Sequence, residues 1–381
     1  MQPLIKLLLL IVAGISAGCL IYFLFLNPHA PPAPLQLAGN NTTGAGNATK
    51  PGPVYAINLT AIPAPDCSQC TSPQDMLDGM AGIFNQSAAL SVGSETIADM
   101  SSPEAKALIA RYNITQLPAL VVFGGAHDAG LASEWNNSVG SVESDGSLVS
   151  RYLPPPYYDA GTGRLVGIVN GIAIRPYGCV ECTNPSDFFL SLANYGMAFS
   201  STTMLDENDT QAQELIKRYN LTKLPALLLD SEALAYPSFA KSSTAGTIES
   251  DGWFVLRVMR PPYVDLEQNR SIRGFVDAIH VVDSSCTDCV DISGLTNYFA
   301  TSLGVFITNT STYEANSTQG KALIKKYNIT RIPTVLYSPE LATYPGFKVV
   351  WLEQNNTIES DGWFIFKAYN LAGYKYQNVS G

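Results

Sequence analysis

One stretch occurs three times in this chain at nearly constant spacing. Leu108 to Phe123 reads LIARYNITQLPALVVF, Leu215 to Leu229 reads LIKRYNLTKLPALLL, and Ala322 to Tyr337 reads ALIKKYNITRIPTVLY. Each copy carries Leu-Ile and a basic residue, then Tyr-Asn, a short turn, an apolar residue before proline, and a run of β-formers. The pattern predicts a helix end crossing into a strand, with proline at the strand's first position, where its missing N–H costs no ladder bond. Upstream of each proline stands a Cys-x-x-Cys pair: Cys67/Cys70 before Pro118, Cys179/Cys182 before Pro225, and Cys286/Cys289 before Pro333. The proline follows the first cysteine by 51, 46 and 47 residues. A period of about 107 residues divides the chain into three units of ordinary domain length.

On these residues the sequence resembles the thioredoxin-like superfamily, and its tandem CxxC layout is similar to that of protein disulfide isomerases. The resemblance covers Val54 to about Asn370. It implies an α/β fold of three tandem thioredoxin-like domains, each a mixed central sheet flanked by helices. It also implies that Cys67, Cys179 and Cys286 are attacking thiols and that Cys70, Cys182 and Cys289 resolve the mixed disulfide. Pro118, Pro225 and Pro333 would be cis, presenting the backbone of Leu117, Leu224 and Ile332 to an extended substrate strand. The place of the family's buried proton-shuttling acid is held by Ala61, Ala173 and His280. His280 is therefore a candidate for proton transfer and repeat 3 the best single candidate for activity; the plainer reading of His280 is a packed structural residue. No cofactor is implied.

Local signals agree with that order. Val54–Leu59, Leu165–Ile174 and Ile272–Val282 suit buried first strands. Ser72-Pro73 and Asn184-Pro185 place a capping residue before a proline suited to the first helical position, and repeat 3 offers Asp291 or Ser293. Second strands are expected over Ala89–Val92 and Gly304–Thr308, and second helices from Ser102-Pro103, Asp209-Thr210 and Ser317-Thr318. Asp145-Gly146, Asp251-Gly252 and Asp361-Gly362 mark closing hairpins. Two placements of the cysteines remain open: outside the first turn if the helices begin at Pro73 and Pro185, or capping a helix that the proline kinks. An extra segment precedes each hairpin, such as Ser231–Ala245, with Tyr236-Pro237 and Tyr344-Pro345 shared by repeats 2 and 3. The Pro-rich Leu153–Pro156 and Arg260–Tyr263 after the hairpins argue against the family's closing helix, so the extra segment or a neighbouring repeat should cover that sheet face.

The residues between the cysteines are Ser-Gln, Val-Glu and Thr-Asp, and the acids Asp66, Glu181 and Asp288 would raise a neighbouring thiol's pKa. Two readings follow: redox exchange on exported proteins with thiols or disulfides, or a glycosylated binding or structural protein stapled by inert disulfides. So short a loop restrains little unfolded-state entropy, which favours redox use. Repeats 2 and 3 share Thr-Ile-Glu-Ser-Asp-Gly-Trp-Phe where repeat 1 has Ser147-Leu148, so repeat 1 reads as a spacer. Trp253 and Trp363 read as core residues.

Residues 7–26 are twenty consecutive uncharged, largely apolar residues, long enough to span a bilayer and too long for a signal-peptide core. The organisation expected is a cytoplasmic N-terminus over 1–6, a transmembrane anchor over 7–26, a Pro/Asn/Thr-rich stalk over 27–53, and thioredoxin-like repeats over 54–160, 161–268 and 269–381. The repeats would then be extracytoplasmic and the protein single-pass in the cell membrane. About fifteen Asn-x-Ser/Thr sites, among them Asn113, Asn220 and Asn328, suggest glycosylation. Seven cysteines resolve into Cys19 in the span and three local pairs. Metal is not expected, because zinc needs four close ligands and the pairs stand over 100 residues apart in a chain with 3 His. A net charge of −10 argues against nucleic acid.

Overall fold

The computed structural model describes residues 54–85, 87, 89–242, 245–367 and 375–379. The expected anchor over 7–26 and stalk over 27–53 lie outside the described residues, and no helix among those described is long and apolar enough to cross a membrane. Repeat 1 runs β1 (Tyr55–Ile62), α1 (Pro73–Phe84), β2 (Leu90–Ile97), α2 (Pro103–Tyr112), β3 (Gln116–Leu117), β4 (Ala119–Phe123), α3 (Ala129–Ser138), β5 (Gly140–Val142), β6 (Leu148–Ser150), β7 (Tyr157–Asp159) and β8 (Arg164–Val166). Repeat 2 follows with β9 (Ile168–Arg175), α4 (Ser186–Asn194), β10 (Ala198–Asp206), α5 (Thr210–Arg218), β11 (Lys223–Leu224), β12 (Ala226–Leu229), α6 (Pro237–Ser242), β13 (Gly246–Ile248), β14 (Phe254–Leu256), β15 (Tyr263–Asp265) and β16 (Arg270–Ile272). Repeat 3 comprises β17 (Val276–Val282), α7 (Ser293–Thr301), β18 (Ile307–Glu314), α8 (Thr318–Lys326), β19 (Arg331–Ile332), β20 (Thr334–Tyr337), α9 (Phe347–Glu353), β21 (Thr357–Ile358), β22 (Phe364–Ile365) and β23 (Gln377–Asn378).

Each repeat builds one five-stranded mixed sheet, in the orders β2-β1-β4-β6-β5, β10-β9-β12-β14-β13 and β18-β17-β20-β22-β21. The first two strands are parallel and the proline strand is antiparallel to the first. The second strands run past the expected ends, β2 to Ile97 and β18 to Glu314. They are sheet-edge strands with mostly solvent-facing polar side chains, so backbone pairing rather than an apolar run defines them. The expected strands Leu165–Ile174 and Ile272–Val282 are each interrupted, at Gly167 (φ +83°) and Gly274 (φ +62°). A Cβ at either glycine would lie 2.3 Å from the ring of Pro155 or Pro261, so only glycine lets the chain turn there against the proline.

The segment inserted before each hairpin supplies a helix, and that helix covers the sheet face shared with the helix after the cysteines. Trp135 of α3 packs with Leu77 and Phe84 of α1; Phe239 of α6 with Phe189 and Leu192 of α4; and Trp351 of α9 with Tyr298 and Phe299 of α7. After β6 and β14 the chain is extended rather than helical, entering β7 and β15. The opposite face is closed by α2, α5 and α8 through Leu108, Ala212 and Ile324.

The thrice-repeated Tyr-Asn is a helix stop tied to the hairpin. Asn113, Asn220 and Asn328 follow the second helices with φ of 49°, 47° and 46°, a left-handed conformation that asparagine tolerates, and all three are exposed. The preceding tyrosine hydroxyl donates to the aspartate of the Asp-Gly turn: Tyr112 to Asp145 at 2.9 Å, Tyr219 to Asp251 at 2.8 Å, and Tyr327 to Asp361 at 3.1 Å. Arg111, Arg218 and Lys326 pair with the same aspartates. Burial, with Asp251 beside it, pushes the Tyr219 hydroxyl up to about 12, so it stays a donor. Trp253 and Trp363 pack partly buried beside this end of the sheet, as core residues.

Candidate redox sites

Each first strand delivers its cysteines to the end of the sheet where the proline strand begins. The register places Ile62 opposite Ala119, Ile174 opposite Ala226, and Val281 opposite Thr334, each partner being the residue after the proline. The Leu117–Pro118, Leu224–Pro225 and Ile332–Pro333 bonds are cis. Cys67–Cys70, Cys179–Cys182 and Cys286–Cys289 are each joined as a disulfide, and all six residues are half-buried.

The helices start after the pairs, which excludes the placement in which the first cysteine caps the helix. Ser72 caps α1, its hydroxyl accepting from Asp75 N at 3.4 Å, and Pro73 opens the helix as expected. In repeat 2 the start differs from expectation: Pro185 is itself the cap and α4 opens at Ser186. The Asn184 carboxamide oxygen bends the chain by accepting from Ser186 N at 3.2 Å, and Asp291 does the same for Ser293 N at 2.9 Å in repeat 3. Thiolate stabilisation by the helix N-terminus falls off within one turn, so it is weak at these cysteines.

Electrostatics at the second and third pairs rest on partners that sequence reasoning missed. Glu181 accepts from Arg273 Nε at 2.7 Å and from a second guanidinium nitrogen. Asp288 accepts from Lys375 Nζ at 2.6 Å, and this hydrogen bond and charge hold its carboxyl below the usual range. The negative charge beside each cysteine pair is thus balanced, and its expected effect on the thiols is offset. A signal was present: Arg273 is one residue more than repeat 1 has between strand and glycine, where Val166 is followed directly by Gly167. Repeat 1 is neutral at the matching position, and Gln69 Nε2 instead donates to Phe199 O of repeat 2 at 3.0 Å. Asp66 is exposed, with φ of 50°.

Ala61 and Ala173 are fully buried, and His280 is 5% exposed at the equivalent position. His280 Nε2 lies 2.8 Å from Thr296 Oγ1, which lies 3.0 Å from Tyr337 OH. Burial pushes the His280 pKa below its ordinary value, with Asp291 opposing. A folded pKa below the unfolded one means that the unfolded chain takes up the proton first as pH falls. Repeat 3 should therefore be fully stable above about pH 6.5 and lose up to about 1.4 kcal/mol per pH unit below it, until the folded group also titrates. Urea unfolding of the wild type and of His280→Gln at about pH 7.5 and about pH 5.5 checks this. The variant should lose less stability, and equal losses would contradict a buried neutral histidine.

The backbone expected to face a substrate strand is engaged by the chain itself. Leu117 pairs with Tyr158 of β7, Leu224 with Val264 of β15, and Ile332 with Gln377 of β23, all antiparallel. Among the described residues no group of three or more His, Cys, Asp or Glu could hold a metal ion.

No family model matches this sequence, and no curated protein matches it. Among solved structures, ERdj5 in crystal form II is similar at 12% identity over 88% of this chain and 41% of that one, with a TM-score of 0.16. A protein disulfide oxidoreductase from Aeropyrum pernix is similar at 12% identity over 46% and 77%, with a TM-score of 0.14. Human ERp44 is similar at 10% identity over 74% and 77%, with a TM-score of 0.14. The chain spans about four tenths of the length of ERdj5, and likenesses of this size do not bear on activity.

Proposed function

We propose that this chain, three thioredoxin-like units each carrying a CxxC pair, is a membrane-anchored, extracytoplasmic thiol-disulfide oxidoreductase or isomerase acting on exported proteins. The observation that carries the reading is the convergence, three times over, of a half-buried CxxC pair and a cis-proline at one end of a sheet. In the reducing direction the thiolate of Cys179 or Cys286 attacks a substrate disulfide, forming a mixed disulfide and releasing one substrate thiolate. Cys182 or Cys289 then attacks the mixed disulfide, closing the protein disulfide and releasing the second thiolate, so two electrons pass to the substrate. A thiol or disulfide of the glutathione class resets the pair and its poise sets the direction.

Repeat 1 serves chiefly as a membrane-proximal spacer, in keeping with Gln69 of its cysteine loop resting on repeat 2. His280 is buried behind the third pair on the strand that leads to it, in keeping with a proton-transfer role. The uncharged 7–26 segment supports the anchor, with Lys6 the only charge before it, and the exposed Asn113, Asn220 and Asn328 are compatible with glycosylation.

A second reading, a binding or structural protein with inert disulfides, is favoured by the strands already seated on Leu117, Leu224 and Ile332. Equilibration of each pair with glutathione buffers separates the two. Exchange-active pairs at Cys179/Cys182 and Cys286/Cys289 should titrate above about −300 mV, whereas inert staples should resist reduction below it.

A further inference from the structure

The cysteine loops of the first two repeats are docked on the repeat that follows, and the residue before the second cysteine makes the contact each time. Gln69 Nε2 donates to the carbonyl of Phe199, the second residue of β10. Glu181 accepts from Arg273 Nε at 2.7 Å and from a second nitrogen of the same guanidinium. Arg273 belongs to a joint, since it lies between β16, which ends repeat 2, and β17, which opens the sheet of repeat 3. Its guanidinium carbon also stands 4.5 Å from the ring centroid of Phe275, and that ring is 6.1 Å from the ring of Phe306, just ahead of β18. The fork thus joins a carboxylate of one repeat to an aromatic ring of the next.

Tyr344 fixes where that arginine stands. Its hydroxyl donates to Gly274 O at 2.8 Å and accepts from Phe306 N at 2.8 Å, so one buried tyrosine ties the residue after Arg273 to the start of β18. Charged groups of repeat 2 also stand on the elements that carry the cysteine loop and the proline. Glu207, after β10, accepts from Tyr177 N at 2.8 Å, and Arg175 of β9 pairs with Asp206. Lys223 of β11 lies over the Tyr263 ring, and Asp187 stands in the first turn of α4. The cation that reaches Glu181 itself comes from the joint.

We propose that the cysteine site of repeat 2 is completed from outside its own sheet, by the joint to repeat 3. Arg273 is its positioning residue: it holds Glu181, and so makes the reactivity of Cys179 and Cys182 depend on how that joint is set. When the pair is reduced, one thiol loses its proton to solvent and places a second negative charge beside Glu181. Arg273 offsets the first charge and thereby favours the thiolate, the form that attacks. Loosening the joint withdraws the guanidinium and returns the pair towards the thiol form. That these thiols then exchange with a substrate disulfide rests on the function proposed above; the completion of the site by Arg273 does not.

The test uses the full chain, reduced with a phosphine, and follows iodoacetamide alkylation of the Cys179/Cys182 peptide by mass spectrometry from about pH 5 to about pH 9. In Arg273→Gln the midpoint should move to higher pH and the rate at about pH 7 should fall about two- to fivefold. That is the size of a solvent-screened effect, the two side chains being 57% and 44% exposed. Glu181→Gln should move the midpoint the other way, the double variant should lie near the wild type, and Arg273→Lys should restore most of the rate. Tyr344→Phe, which changes no charge, should shift the same profile in the same direction by less, and alkylation of Cys67 and Cys70 should be unmoved throughout. A profile in Arg273→Gln or in Tyr344→Phe that coincides with the wild type's would overturn the proposal. Shifted profiles in a chain that turns over no disulfide-linked peptide would remove the redox function and leave the joint's control of the thiols intact.

Discussion

Serine at Cys286 is expected to lower the chain's disulfide-exchange rate by roughly tenfold or more, because it deletes the sulfur proposed to attack in the repeat whose first strand carries the buried His280. Serine at Cys179 should have a smaller effect, since repeat 2 has the buried, non-titratable Ala173 where repeat 3 has His280. At Cys67 the effect should be close to zero. The reading is turnover of a fluorescent disulfide-linked peptide by the purified chain with glutathione as reductant, alongside the rate at which each reduced pair reacts with a maleimide. A chain lacking all three first cysteines that still turned over at the wild-type rate would remove the redox function. Cys67 as the most reactive of the six would reverse the assignment of repeat 1 as spacer.

Much of this architecture is legible in the sequence because it is written in local chemistry. Ser102-Pro103 and Ser317-Thr318 open helices where the capping rules place them, and the proline crossings adopt the cis form the resemblance implies. What escapes are features set by distant partners. The Tyr-Asn repeat marks the helix stop, but its tie to Asp145, Asp251 and Asp361 spans more than thirty residues and needs the hairpin in place. The polar edge strands β2 and β18 read short because an apolar run is a poor guide to a strand defined by pairing. Asp288 and Glu181 read as thiol-raising acids because Lys375 and Arg273 lie more than eighty residues further along the chain. The Pro-rich segments forbid a closing helix, yet their destination is hidden: an extended strand with proline before it can pair anywhere an edge is free, and the free edge lies beside the cis-proline.

Replacing Trp351 with alanine is expected to destabilise repeat 3 by about 3–5 kcal/mol, the range for truncating a large buried aromatic. Trp351 is 4% exposed, with ring centroids of Phe299, Tyr337, Phe364 and Phe366 at 6.2, 5.9, 5.8 and 6.3 Å. Its indole Nε1 also donates to Thr357 O at 2.9 Å, which fixes α9 against the hairpin. These contacts join the inserted helix, the helix after the cysteines, the proline strand and β22, so no neighbouring side chain can collapse into the space without moving a second element. Val349, on the same helix and 60% exposed, is the control: its alanine variant should change stability by no more than about 0.5 kcal/mol. Because a three-unit chain need not unfold in one step, the measurement is hydrogen exchange over residues 334–337 and 347–353 at several urea concentrations, which isolates repeat 3. A cost below about 1 kcal/mol would mean that α9 is appended to the sheet rather than built into its core, and that something else covers the face a closing helix would otherwise occupy.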